Sequence, residues 1–359
     1  MMYFLSFIIV LGIPIFLHEL GHFLAAKSVG IKVEKFFVGF DFFNLGFKKK
    51  YGETEYGIGL FPLGGYVKVA GVLDENMDFQ TEGKEYEFRS KNTIQKVWFL
   101  SAGVIMNFLL AIVVFTAFSF FDGKKIPSEN PIIEQVAPDS PANIIGLQSK
   151  DQLVSINNIR VNVFSDIKNI VEPNFDKEIN IKWIRDNIEY SSIITPIKQK
   201  IYKLGEGFVS VGVIGVSPGF EVEHINLFSS FLEGCNQTFY WISFLCSSLS
   251  SIIAGDISLD QLSGPVGIVK VAGDTASSGG LLALIYLMAL ISINLGIINI
   301  LPFPVVDGGH VMIALIEGLI RREIPMNIKY YIQISGSIFL MFLFVLVFAN
   351  DIYRLIFQP

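Results

Sequence analysis

The 359-residue chain is 52% apolar, carries 33 phenylalanines and has a net charge of −6. It is too apolar for an ordinary soluble protein and implies several membrane spans. With no basic stripe it speaks against a nucleic-acid partner. Cys235 and Cys246 are its only cysteines. Without Cys-x-x-Cys spacing they suggest neither a disulfide framework nor a zinc ribbon, and read as small apolar fillers.

Residues 1–29 form the first predicted span. No basic n-region precedes the apolar run and no small-residue cleavage site follows it, so a retained helix is expected rather than a signal peptide. Inside it stands His18-Glu19-Leu20-Gly21-His22. Residues four apart share a helix face, so both imidazoles can bind one metal ion, with Glu19 placed to act as general base. Ionisable groups in a bilayer are costly to keep, and a zinc ion explains them economically. Residues 30–96 form a loop rich in lysine. Within it Tyr56–Gly71 alternates apolar residues with glycines, which predicts a hairpin or small sheet dipping toward the membrane. Its two readings are a solvent-exposed hairpin, or a strand edge beside the active site that pairs with unwound substrate. The charged stretch Asp74–Lys91 is expected to be mobile.

The second predicted span is 97–121. Asn107 in this apolar setting needs a partner, and Gly103 one turn away permits close helix packing. Asn107 reads either as an interhelical hydrogen bond or as a grip on substrate backbone. Residues 126–200 alternate short strands and turns with one helix at Phe164–Val171, as in a compact α+β domain without a catalytic set; binding is its expected role. Residues 201–280 read as a linker, with a short, serine-broken, interfacial amphipathic helix at Phe239–Ala254.

The third predicted span, 281–310, closes on Asn299-Ile-Leu-Pro302-Phe-Pro304-Val-Val-Asp307-Gly308-Gly309-His310. The prolines break the helix and the glycines allow a tight turn. A broken helix at membrane depth is tolerated where it lines a wet cavity. Catalytic zinc takes three protein ligands and keeps one open position. Asp307 is the natural third ligand and His310 the runner-up. Asn299 invites the same two readings as Asn107. The fourth span is 331–349. His224, outside the spans, is set aside. Lysines and arginines cluster in 30–96 and at Arg321, Arg322 and Lys329, which places both loops in the cytoplasm and the long middle region outside. At about 1.5 Å per residue His18 and Asp307 then come to similar depth. The expected architecture is a polytopic α-helical membrane protein of about four spans, with a cytoplasmic membrane-associated β-element and one outer α+β domain.

Together these residues resemble the site-2 protease family of intramembrane zinc metalloproteases, in the bacterial branch typified by the regulator of sigma-E protease. The family pattern His-Glu-x-x-His falls on His18, Glu19 and His22. Asn-x-x-Pro-x-Pro-x-x-Asp-Gly falls on Asn299, Pro302, Pro304, Asp307 and Gly308. Gly-Gly-Tyr-Val-Lys of the membrane-associated hairpin falls on Gly64, Gly65, Tyr66, Val67 and Lys68. Gly-x-x-x-Asn falls on Gly103 and Asn107, and Leu262–Gly267 also has the family's look. The outer domain is similar to a PDZ domain, with Ser140-Pro141-Ala142 and Gly146-Leu147 as signature. There is room for one such domain where the sigma-E branch typically has two, and Val104 stands where many relatives carry proline.

The resemblance implies a bacterial inner-membrane enzyme that binds Zn2+ through His18, His22 and Asp307. Glu19 would be its catalytic base, and Asn107, Asn299, Gly64, Gly65 and Tyr66 would hold substrate. Its partners would be the transmembrane helices of pre-trimmed single-span proteins, such as an anti-sigma factor or leftover signal peptides, and peptide ends at the PDZ-like domain. A membrane metal transporter and a catalytically silent PDZ scaffold are the rival classes. A transporter needs polar residues along a whole path, and here they cluster near one depth.

Overall fold

The first helix, α1, spans Met2–Ser28 and carries a wider, π-type turn at Ile8–Gly12, just ahead of the His-Glu pair. Such turns recur near functional sites. The computed structural model describes residues 2–40, 46–59, 61–71, 83–256 and 264–357. Three further helices are long and apolar enough to cross a membrane: α2 (Thr93–Phe121), α6 (Pro265–Ile300) and α8 (Met326–Phe357). The chain is therefore a polytopic α-helical membrane protein with added β-structure.

Between α1 and α2 lies a four-stranded mixed sheet: β1 (Val33–Phe40), β2 (Phe47–Tyr51), β3 (Thr54–Ile58) and β4 (Phe61–Val69), in the order β2-β3-β1-β4. Of the two forms expected at Tyr56–Gly71, a hairpin or a small sheet, the sheet is the one formed. β3 and β4 do not pair with each other; β1 lies between them, parallel to β3 and antiparallel to β4. The physical reason is Val33-Glu-Lys-Phe-Phe-Val, which supplies the centre of the sheet. Phe36 packs edge-on against Phe16 and Phe23 of α1, so the sheet's apolar face is buried on the helix rather than on a second arm of a hairpin. Residues 74–82, the first half of the charged stretch Asp74–Lys91, lie outside the described residues.

The chain divides into two units: Met1–Thr116 with Glu233–Cys246 and Ile252–Pro359, and Ala117–Leu232 with Ser247–Ser251. The second unit contains β5 (Lys124–Pro127), β6 (Ile133–Val136), the one-turn helix α3 (Pro141–Ile144), β7 (Gln152–Ile156), β8 (Ile159–Arg160), α4 (Phe164–Val171), β9 (Ile179–Arg185) and β10 (Ile188–Ile194). It continues through β11 (Ile197–Lys203), β12 (Gly207–Val213), β13 (Val216–Pro218) and β14 (Phe220–Glu223). Asn157-Asn158 and Asp186-Asn187 adopt positive φ at two tight hairpin turns, a conformation that Asn and Asp tolerate. Ile133, Leu153, Ile156, Ile179, Ile181, Trp183 and Ile214 form the core. Asp151 is fully buried there, and Arg185 donates to both its oxygens at 2.7 Å. The linker expected from residue 201 is corrected. β13 pairs with β6 and β14 with β5, so strands up to Glu223 complete the sheets that the first strands open. The predicted boundary near 200 fell inside one hydrogen-bonded unit.

The helix expected at Phe239–Ala254 is one continuous helix, α5, from Leu227 to Ile253, begun by Asn226, whose side chain accepts from the Ser229 N–H. The third long helix starts at Pro265, ahead of the predicted 281, and bends at Gly280, whose positive φ interrupts it. Its start is secured from afar: buried Asp351 of α8 accepts from the Gly264 and Gly267 N–H groups at 3.0 and 2.9 Å. This accounts for the second half of the Leu262–Gly267 motif; Leu262 and Ser263 lie outside the described residues. After α6 the chain turns at 301–306 and enters α7 (Asp307–Ile320). The fourth long helix begins at Met326, five residues before the predicted 331.

Candidate metal centre

His18 and His22 lie one turn apart on α1, at 8% and 7% exposure. Their Nε2 atoms are 3.2 Å apart. Asp307, the first residue of α7, brings Oδ2 to 3.1 Å from His18 Nε2 and 3.3 Å from His22 Nε2. The interrupted helix makes this possible. Pro302 and Pro304 end α6, and the turn then folds closely over the start of α7. A Cβ on Gly308 would fall 2.3 Å from the carbonyl oxygens of Ile300 and Leu301, and one on Gly309 2.0 Å from that of Phe303. Close approach, not a special turn conformation, is what these glycines provide. The strained residue is Val305, a β-branched side chain at φ 88°.

The hydrogen bonds around the cluster fix which lone pairs face inward. His22 Nδ1 lies 2.9 Å from the Phe99 carbonyl oxygen. A carbonyl only accepts, so Nδ1 carries the proton and Nε2 of the neutral ring is a bare lone pair. Asp307 Oδ2 is buried and accepts no hydrogen bond. Two acceptor atoms, His22 Nε2 and Asp307 Oδ2, thus face each other with no donor between them and His18 Nε2 beside both, an arrangement suited to a cation. Tetrahedral zinc with bonds of about 2.0–2.1 Å has ligand-to-ligand edges of about 3.3–3.4 Å. The observed 3.1–3.3 Å fits this, and two imidazoles with a carboxylate are a suitable donor set.

The profile of the peptidase M50 family matches residues 6–343. A putative zinc metalloprotease of Campylobacter jejuni is 33% identical over 98% of this chain and 94% of its own length. Zinc metalloprotease RasP of Geobacillus kaustophilus is 30% identical over 98% and 97%. The regulator of sigma-W protease RasP of Bacillus subtilis is 28% identical over 98% of each. This chain belongs to peptidase family M50.

The other residues singled out in the sequence fall into three groups. Some press on the cluster. Asn107 is fully buried, and its side-chain amide stands 3.3 Å from His18 Nδ1. It therefore meets a histidine, where the sequence suggested a helix partner or substrate. Its own carbonyl accepts from buried Ser292 Oγ of α6 at 2.9 Å. A Cβ on Gly65 of β4 would lie 2.8 Å from Glu19 Cγ, so the strand runs directly along the Glu19 side chain. Gly64 has φ 135°, and the Tyr66 ring stacks on Phe37 of β1 at 5.2 Å. Others stand apart. Asn299 is half-buried near the end of α6, and no described hydrogen bond joins it to the cluster. His310 is half-buried on α7 and is not part of the cluster of possible ligand atoms among the described residues, which holds His18, His22 and Asp307. His224 lies in the second unit.

The third group consists of glycines at helix contacts. Gly103 permits the close helix packing expected of it, and the surface it meets is the pair of imidazoles on α1: an added Cβ would sit 2.5 Å from His22 Nε2 and 2.6 Å from His18 Cε1. Gly21, one residue before His22, meets the Ala102 carbonyl in the same way, at 2.5 Å. The signal was present as a glycine inside each helix, at a cost of about 1 kcal/mol against alanine. That cost marks a close approach without naming the partner.

Proposed function

We propose that the chain hydrolyses peptide bonds within transmembrane segments of pre-trimmed single-span membrane proteins. As an M50 peptidase it is a zinc metalloprotease. His18, His22 and Asp307 hold the zinc; the observation that carries this reading is their approach to 3.1–3.3 Å with Oδ2 left unanswered. When bound, zinc supplies Lewis acidity to the scissile carbonyl and to the attacking water at its open position. Glu19 takes the proton from that water and delivers it to the leaving amine. Phe99 and Asn107 orient the imidazoles from behind. A histidine that gives Nε2 to a metal keeps its proton on Nδ1 and needs an acceptor there. The Asn107 amide, turned to offer Oδ1, is that acceptor for His18, and the turn also finds a donor for an oxygen otherwise buried without one.

A helical substrate hides its carbonyls, so it must unwind before cleavage. β4 pairs only with β1 among the described strands. The strand passes Glu19 at Gly65, and its other edge is the side along which an extended segment would add, with Gly64 and Tyr66 beside it. Asn299 holds substrate from the other wall. The second unit acts as a PDZ-like domain. A cavity of about 490 Å³ there is lined by Phe164 and Ile167 of α4, Ile201 of β11 and Val216 of β13. β13 pairs only with β6 among the described strands, so an extended peptide end can add along its other side, or the domain can exclude untrimmed substrates by size. The lysines of 30–96 and the arginines after α7 put the metal site toward the cytoplasm of a bacterial inner membrane and the PDZ-like domain outside. The relative named for sigma-W regulation supports an anti-sigma factor as substrate; remnant signal peptides have the same single-span chemistry.

The test is cleavage of a single-span substrate by the purified full chain in detergent. Glu19→Gln is expected to lower the rate by about 10²–10⁴-fold with zinc still bound, the range for a positioned general acid–base group. Turnover near that of the unaltered protein would refute the assigned base.

A further inference from the structure

We propose that a cavity between the first turn of α2 and the end of α7 binds the headgroup phosphate of an anionic phospholipid. The proposal rests on the membrane reading of the four long helices and is independent of the peptidase site. The cavity measures about 160 Å³ and is lined by Thr93, Lys96, Glu317, Arg321, Arg322 and Glu323, with Ala314 and Gly318 in the wall. At one point the two helices touch: a Cβ on Gly318 would meet Thr93 Oγ1 at 2.6 Å.

The charges do not balance from within. Glu317 is already taken, since Lys329 Nζ lies 2.6 Å from its Oε1, which also accepts from the Ile324 N–H at 2.7 Å. Glu323 is exposed. Among the described residues no ion pair engages Lys96, Arg321 or Arg322; Lys96 has only the face of the Phe88 ring, 5.7 Å away. Counting the wall with Lys329 beside it, four cations face two carboxylates, an excess of two positive charges.

Local preference explains the arginines and not the lysine. Arg321 caps the C-terminal end of α7, where the helix dipole favours a cation, and Arg322 follows it. Lys96 stands in the first turn of α2, where the dipole disfavours one, and that turn has no acidic residue to offset it. A lysine placed against the dipole, facing two arginines across a cavity, is stabilised when an anion lies between them. The cavity sits at one end of the span helix α2, and its wall residue Glu323 comes three residues before the span helix α8 begins at Met326; this is the level of lipid headgroups, where basic pockets on the cytoplasmic side are suited to phosphorylated headgroups. Guanidinium groups pair with phosphate oxygens in a planar fork, and the Thr93 hydroxyl adds a donor.

The experiment is titration of the purified full chain, in a neutral detergent, with dioctanoyl phosphatidylglycerol, dioctanoyl phosphatidylcholine and inorganic phosphate, read by native mass spectrometry and calorimetry. Phosphatidylglycerol is expected to bind one per chain, and the other two at least tenfold more weakly. Each cation near a membrane surface is worth about fivefold in binding, so Arg321→Gln with Arg322→Gln should weaken phosphatidylglycerol about 25-fold and Lys96→Gln about fivefold. The charge-preserving Arg321→Lys with Arg322→Lys should stay within about fivefold, which separates lost charge from lost folding. Unchanged binding in the glutamine variants, equal loss in the lysine variant, or equal binding of inorganic phosphate would each overturn the proposal.

Discussion

Two carboxylates in this chain, Asp151 and Asp307, have opposite surroundings. Asp151, in the second unit, is fully buried with both oxygens engaged by Arg185 at 2.7 Å, and the Gln148 N–H adds a third bond at 2.8 Å. Asp307, in the first unit, has a buried oxygen that faces two imidazoles and accepts no hydrogen bond. Desolvating a carboxylate is expensive in either place. At Asp151 the protein answers the charge with its own donors, and the result is a structural clip. At Asp307 the answer is missing from the chain, and what fits the gap is a metal. Asp351 follows the first pattern with two backbone N–H groups. A buried acid with every lone pair answered holds the fold; one left open marks chemistry.

The comparison breaks most visibly at Asp151. Asp151→Ala leaves Arg185 without its partner in a partly buried setting. It should cost the second unit about 3–5 kcal/mol, the range for removing one member of a buried pair, read as the loss in urea-unfolding free energy of that unit. A loss under about 1 kcal/mol would mean the clip is no more than a surface ion pair.

A smaller effect sharpens the other half. Asn107→Leu removes the side-chain amide that faces His18 Nδ1, the proposed acceptor, without adding bulk at the metal site. Loss of a hydrogen-bond partner behind a ligand costs about 10–100-fold in metal affinity. Competition with a chelator should show that weakening for zinc, and Asn107→Asp, which keeps an acceptor, should recover part of it. Equal affinity in the leucine variant would return Asn107 to a substrate-contact role.

The smallest effect comes from an acid at the surface. Asp166, in the first turn of α4, accepts from the Asn162 and Val163 N–H groups at 2.9 and 3.1 Å, which hold its carboxyl below the ordinary value. A lowered folded-state pKa gives stability that is present above the unfolded value of about 4 and is lost as pH falls through the folded one. Thermal unfolding of the second unit should therefore fall off less below pH 4 in Asp166→Asn than in the unaltered chain. An identical acid limb in both would remove Asp166 from the account.

The candidate metal centre was legible in the sequence because its chemistry is local. His18 and His22 are four apart, and Asp307 follows two helix-breaking prolines. The four long apolar helices were legible from length and hydropathy. What was not legible depends on contacts between distant segments. Val33–Phe40 is the middle strand of a sheet whose neighbours lie on both sides of it in space and on one side in sequence. Val216–Glu223 pairs with strands some eighty to a hundred residues earlier. Gly103 and Gly65 were visible as glycines, but their partners, the imidazoles and Glu19, are set by how α2 and β4 approach α1. The helix start at Pro265 depends on a carboxylate 86 residues onward, which no local pattern can reveal.

Zinc content of the purified full chain, measured by inductively coupled plasma mass spectrometry after dialysis, tests the central claim most directly. One zinc per chain is expected for the unaltered protein and for Glu19→Gln, and near none for Asp307→Ala. Full zinc occupancy in Asp307→Ala would contradict the account, because the third ligand would then lie elsewhere.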